Sequence, residues 1–133
     1  MNLLQRTITS AGTVVGDTVK MLAAPRNLTA QVKFTYGSGG TSVDVYLQTS
    51  LDGGSNWIDI AEVSLTTSSA TKVYNLSAAT PKITAVTPTD GSLTANTAVD
   101  GVLGSQFRVK VVSVGTYAGS TTLSVDFTTD QVA

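Results

Sequence analysis

The sequence predicts an all-β fold: an antiparallel β-sandwich of about eight strands, jelly-roll or immunoglobulin-like, with little or no helix. Three observations predict it. Apolar and polar residues alternate with period two in run after run, and turn-forming residues separate the runs. No window of helical length carries a 3.6-residue apolar period with caps. Periodicity does not choose between the sandwich topologies, and a closed barrel is the lesser alternative.

In chain order, residues 1–12 are polar and sparse in apolar anchors, with a weak strand signal over 4–9. They are expected to form an N-terminal arm that leaves the sandwich and pairs elsewhere, ahead of a single β-sandwich domain over 13–133. A second weak strand falls at 18–22. In NLTAQVKFTY, Leu28, Ala30, Val32, Phe34 and Tyr36 share one face, opposite Thr29, Gln31, Lys33 and Thr35. SVDVYL turns Val43, Val45 and Leu47 inward and Asp44 and Tyr46 outward. In NWIDIAEVSL the apolar parity changes from Ile58 and Ile60 to Val63 and Leu65, which predicts a bulge near Ala61 or Glu62. Weak strands follow at 70–76 and 82–86. Residues 87–104, TPTDGSLTANTAVDGVLG, form a connection longer than a compact domain normally uses, expected to be a binding element or a floppy loop. Two clear strands close the chain, one with Phe107, Val109 and Val111 inward and one with Leu123, Val125 and Phe127 inward.

Composition narrows function. The chain has 133 residues, 13% of them charged and 41% hydrophobic, with a mean hydropathy of +0.19. It is long enough to bury a core, and about a quarter of it is Ser or Thr, so its surface is hydroxyl-rich rather than ionic. A net charge of −1 with scattered Lys and Arg lacks the basic footprint of a nucleic-acid binder. There is no Cys and no His. That removes disulfides, most zinc sites, the serine and cysteine triads and the commonest general base. The N-terminal apolar run is too short for a signal peptide, and no apolar run of about eighteen residues exists to cross a membrane. No membrane partner, cofactor, metal or catalytic residue is therefore expected.

One stretch looks like a site. Ser50-Leu51-Asp52-Gly53-Gly54-Ser55-Asn56-Trp57 resembles the Asp-box, a hairpin motif written Ser-x-Asp-x-Gly-x-Thr-Trp, with Asn56 where the motif has Thr. Its residues describe a structural turn. Asp52 can accept from the turn's own amides, Gly53 and Gly54 can take positive φ, and Trp57 can fold back over the hairpin. A calcium or sugar site built on Asp52, Asn56 and Trp57 is the alternative. Asp44 and Asp59 could face each other as a glycosidase-like carboxylate pair, although outward acids on neighbouring strands are usually solvated. Asp90 and Asp100, each followed by Gly, read as turn residues with a cation site as the alternative. Tyr36, Tyr46, Tyr74 and Tyr117 could stack against sugar or simply pack.

Across most of the chain, VYLQTSLDGGSNWIDIAEVSL (45–65) and DGVLGSQFRVKVVSVGTYAGSTTLSVDF (100–127) give it a pattern similar to the small β-sandwich proteins of tailed-bacteriophage virions. The resemblance implies a non-enzymatic virion component made in the host cytoplasm, above all a capsid decoration, or cement, protein. Its implied partners are the major capsid protein or other virion subunits, with a homo-oligomer possible. Under this reading Leu3, Leu4, Gln5 and Arg6 of the arm are the expected partner contacts. The alternatives are a neck or tail protein and a carbohydrate-binding module, the last requiring an exposed ring among Tyr46, Trp57, Tyr74 and Tyr117.

Overall fold

The structure is a computed structural model describing residues 1–133. It contains eleven strands and no helix. These are β1 (Asn2–Thr7), β2 (Gly12–Val15), β3 (Val19–Lys20), β4 (Asn27–Thr35), β5 (Ser38–Gly39), β6 (Ser42–Ser50), β7 (Ile58–Leu65), β8 (Ala70–Ser77), β9 (Gln106–Val114), β10 (Tyr117–Ala118) and β11 (Thr122–Thr129).

Eight of them build two antiparallel sheets, ordered β1-β11-β4-β8 and β2-β9-β6-β7, while β3 extends the second sheet on β9 and β5 pairs with β10. The pairings β1·β11, β2·β9, β4·β8 and β6·β7 match first strand to last, second to seventh, third to sixth and fourth to fifth. One long hairpin rolled into a sandwich gives this nesting, so the topology is the jelly roll rather than the immunoglobulin one.

The inner faces are those set by the alternation. Leu28, Val32, Phe34, Leu123, Val125 and Phe127 meet Val43, Val45, Ile60, Val63, Phe107 and Val109 in one core. At one end of the sandwich, Tyr117 packs edge-on to Phe34 and Tyr36 and donates its hydroxyl to the carbonyl of Thr66 at 2.6 Å. Gly40, at φ 73°, lies under that ring, and a Cβ there would collide with it.

Three expectations need correction. Residues 1–12 do not leave the sandwich: β1 is the edge strand of the first sheet, paired with β11, and Leu3 and Ile8 are buried. A register shift between Asn2 and Leu4 breaks the alternation there, so the strand reads as a polar arm. Residues 82–86 form no strand; they all lie exposed between Pro81 and Pro88, with Ile83 98% exposed and no neighbouring strand to pair with. Asp44 and Asp59 do not face each other. A bulge at Ile60, where Leu47 pairs with Ala61 and Gln48 with Asp59, sets Asp59 opposite Gln48 and Asp44 opposite Ser64.

Candidate functional site

The outward face of β6 and β7 is not open to water. Residues 89–99 cross it as a strap and complete the free edge of β7 with backbone bonds. Asp59 N donates to Thr89 O at 3.1 Å, Glu62 N to Thr97 O at 2.9 Å and Val99 N to Ile60 O at 2.8 Å, and Ala61 bridges to Ala98. The strap buries side chains that alternation sends outward. Tyr46 is 8% exposed, Asp59 1% and Glu62 2%, and Gln48 is fully buried.

Buried acids persist only when their oxygens are satisfied. The Asp59 carboxylate accepts from Thr89 Oγ1 (2.8 Å), Gly91 N (2.9 Å), Ser92 N (3.0 Å), Leu93 N (3.3 Å) and Gln48 Nε2 (2.8 Å). Three successive strap amides thus converge on one carboxylate, an anion nest with its anion supplied by the chain itself. Gln48 Nε2 also reaches Asp90 Oδ1 at 2.8 Å, and Arg108 closes the ring with Nε on Gln48 Oε1 at 2.8 Å and a terminal nitrogen 3.1 Å from Asp90. Lys110 Nζ lies 3.4 Å from the same carboxylate. Partial burial pushes Asp90 up, but the Gln48 amide, Lys110 and Arg108 outweigh it and leave the carboxyl below its ordinary range.

Glu62 anchors the middle of the strap, accepting from Asn96 N at 3.3 Å. Ser64 Oγ lies 2.9 Å from both Glu62 oxygens and 2.8 Å from Asp44 Oδ1. One hydroxyl proton serves only one acceptor at a time, so Ser64 is shared between Glu62 and Asp44. Burial pushes Glu62 above the ordinary carboxyl range, more than Ser64 and Asn96 pull it down, and the Asp44 charge adds to the rise. None of the four surface hollows is lined by Asp44, Asp59 or Glu62. These acids hold backbone and side chains; no substrate-sized opening reaches them.

At Ser50–Trp57 the side chains form a self-contained turn. Asp52 Oδ1 accepts from Ser50 Oγ (3.0 Å) and Asn56 N (2.8 Å), Asp52 Oδ2 accepts from Asn56 Nδ2 (2.6 Å), and Ser50 Oγ accepts from Gly54 N (2.9 Å). The side-chain and backbone donors of Asn56 hold Asp52 below its usual range. Gly53 and Gly54 sit at φ 72° and 92°. Trp57 is 8% exposed, with the Arg108 guanidinium carbon 4.2 Å from its ring centroid. Arg108 therefore couples this turn to the strap, two stretches that share no sequence signal.

Asp100 accepts from Ser77 N at 2.6 Å and Thr80 Oγ1 at 2.9 Å, tying the end of the strap to β8. No aromatic ring is exposed. Tyr46 and Tyr117 are buried, and the half-buried Tyr74 and Tyr36 donate their hydroxyls to Glu62 O (2.8 Å) and Gly39 O (2.9 Å). Leu3, Leu4, Gln5 and Arg6 lie on β1, where Leu3 is buried, Leu4 half-buried, and Gln5 and Arg6 exposed. Sequence reading missed Glu62 and Gln48; the parity change after Ile60 beside a long polar loop was their one trace.

Fold and polar network together define an all-β jelly roll closed on one side by its own strap. The chain matches no protein-family model and no curated protein sequence.

Proposed function

We propose that this chain is a non-enzymatic structural component of a tailed-bacteriophage virion, a decoration protein that binds the head shell and stabilises it. The observation that carries the reading is where the acids are spent: Asp59, Glu62 and Asp90 hold the strap on sheet β2-β9-β6-β7, and Asp44 accepts from Ser64 within that sheet. What is left for contact is hydroxyl-rich surface and sheet edge, the material of an assembly interface. The jelly-roll topology adds support by analogy, since viral capsid domains use it, although a fold alone does not assign function. The sugar-binding alternative lacks the exposed ring it requires.

A decoration protein binds the mature shell better than its precursor and stabilises it by mass action over many sites. Purified chain added to head shells made without it should co-sediment with the expanded form and raise the temperature at which the shells open. Equal binding to expanded and unexpanded shells, or none to either, contradicts the proposal.

A further inference from the structure

The two sides of the sandwich differ. On one side β7 and β8 end their sheets: residues 89–99 occupy the edge of β7, while β8 is tied to the strap at its last residue, where Ser77 N donates to Asp100, and is exposed along 71–73. On the other side β1 and β2 end theirs, and nothing lies along them. Ile8 N donates to Thr121 O, which fixes the phase of the β1–β11 ladder. Bonded pairs recur every second residue, so the backbone groups of Gln5 and Thr7 point away from β11. Gly16 N donates to Val109 O, and by the same logic those of Thr13 and Val15 point away from β9. None of these four residues takes part in any backbone bond outside its own ladder.

Between these edges run two neighbouring hollows of about 180 and 360 Å³, with Arg6 and Val14 lining both, and together they form a trough along the seam that these two side chains divide. Leu4, Val14 and Ile8 give it apolar walls. Arg6 pairs across the ladder with buried Leu123, which turns it to the inner side of β1, over the trough. It is exposed and takes part in neither of the chain's two ion pairs.

We propose that this seam is a strand-addition site, taking an extended segment of a different chain that alternates small apolar residues with hydroxyls and places one acidic side chain against Arg6. Backbone pairing to Gln5 and Thr7 would supply affinity, and the trough and Arg6 would supply selectivity. A second copy is the poorer occupant. β1 has six residues, and an antiparallel two-fold register that pairs both Gln5 and Thr7 sets the two Arg6 side chains opposite or diagonal to each other. The seam holds for any partner assembly, so it stands or falls separately from the phage reading.

The test uses the full chain, isotope-labelled, with three capped eight-residue peptides of alternating Val and Thr carrying Glu, Gln or Lys at the fourth position. Amide shifts should appear at residues 3–7 and 13–17. The Glu peptide should bind about five-fold more tightly than the Lys peptide, the worth of an exposed ion pair. Arg6→Glu should reverse that order while leaving the unbound spectrum otherwise intact. The proposal is overturned by no shifts with any peptide, by an order indifferent to charge, by shifts confined to residues 71–75 on β8, or by concentration-dependent shifts of the same residues without peptide, which would mark self-association.

Discussion

Asp59 shows how one side chain can decide the shape of a surface. It fixes Thr89, Gly91, Ser92 and Leu93 from a position 1% exposed, and truncation would strand those donors. Asp59→Ala should cost about 3–5 kcal/mol in urea unfolding and speed hydrogen exchange at Gly91–Leu93 ahead of the core strands; a loss under about 1 kcal/mol contradicts the anchoring role. Glu62 makes its contribution pH-dependent. Its folded-state pKa is raised, so its contribution is present below the ordinary glutamate range and is lost as pH rises through the raised value. Asp52 and Asp90, both lowered, contribute above the ordinary aspartate range and lose that contribution in acid. Glu62→Gln leaves those two unchanged. The stability difference between Glu62→Gln and the natural chain should therefore shift in favour of Gln from pH 4 to 7, and a difference flat with pH contradicts the assignment.

At the scale of elements, the strap is the part of the fold that ordinary alternation does not encode. Replacing residues 89–98 with a short Gly-Ser linker should leave the β-sheet circular dichroism largely in place but bare the β7 edge and Tyr46. The chain should then self-associate in sedimentation velocity, because an open edge recruits strands; a monomer at the same concentration contradicts the strap's role as an edge cover. The core strands were legible in the sequence because their inner faces are continuous: Leu28 to Phe34, Val43 to Leu47, Phe107 to Val111 and Leu123 to Phe127 alternate without a break. The parity change after Ile60 announced the bulge to within two residues. β1 read as a free arm because its register slips after Asn2 and only Leu3, Leu4 and Ile8 mark its inner side. Residues 82–86 read as a strand because Ile83 and Ala85 alternate, yet no strand lies beside them. Residues 87–104 stood out only as a long connection, a binding element or a floppy loop; their packing as a strap on β7 was not legible because polar contacts between distant residues, such as Asp59 with Gly91 or Arg108 with Asp90, leave no periodicity.

At the scale of the whole molecule, the chain is a jelly roll whose β7 edge is completed by the strap and whose β1–β2 side is open. Deleting residues 1–8 would not release an independent arm. It would remove Leu3 and Ile8 from the core and uncover β11, so the truncated chain should lose several kcal/mol of stability, about 2–5 for each large buried side chain removed. A truncation that left the urea midpoint unchanged would show that β1 is dispensable to the sandwich. Under the proposed function, the open side and hydroxyl-rich surface meet a particle shell that offers the same partner many times over. Density-gradient separation of the source lysate, with mass spectrometry locating this chain among the fractions, tests that account most directly. The account predicts recovery in a dense particle fraction beside a capsid protein, at a copy ratio on the order of hundreds per particle rather than the dozen or fewer of a neck or tail ring. Recovery only in the light soluble fractions would contradict it.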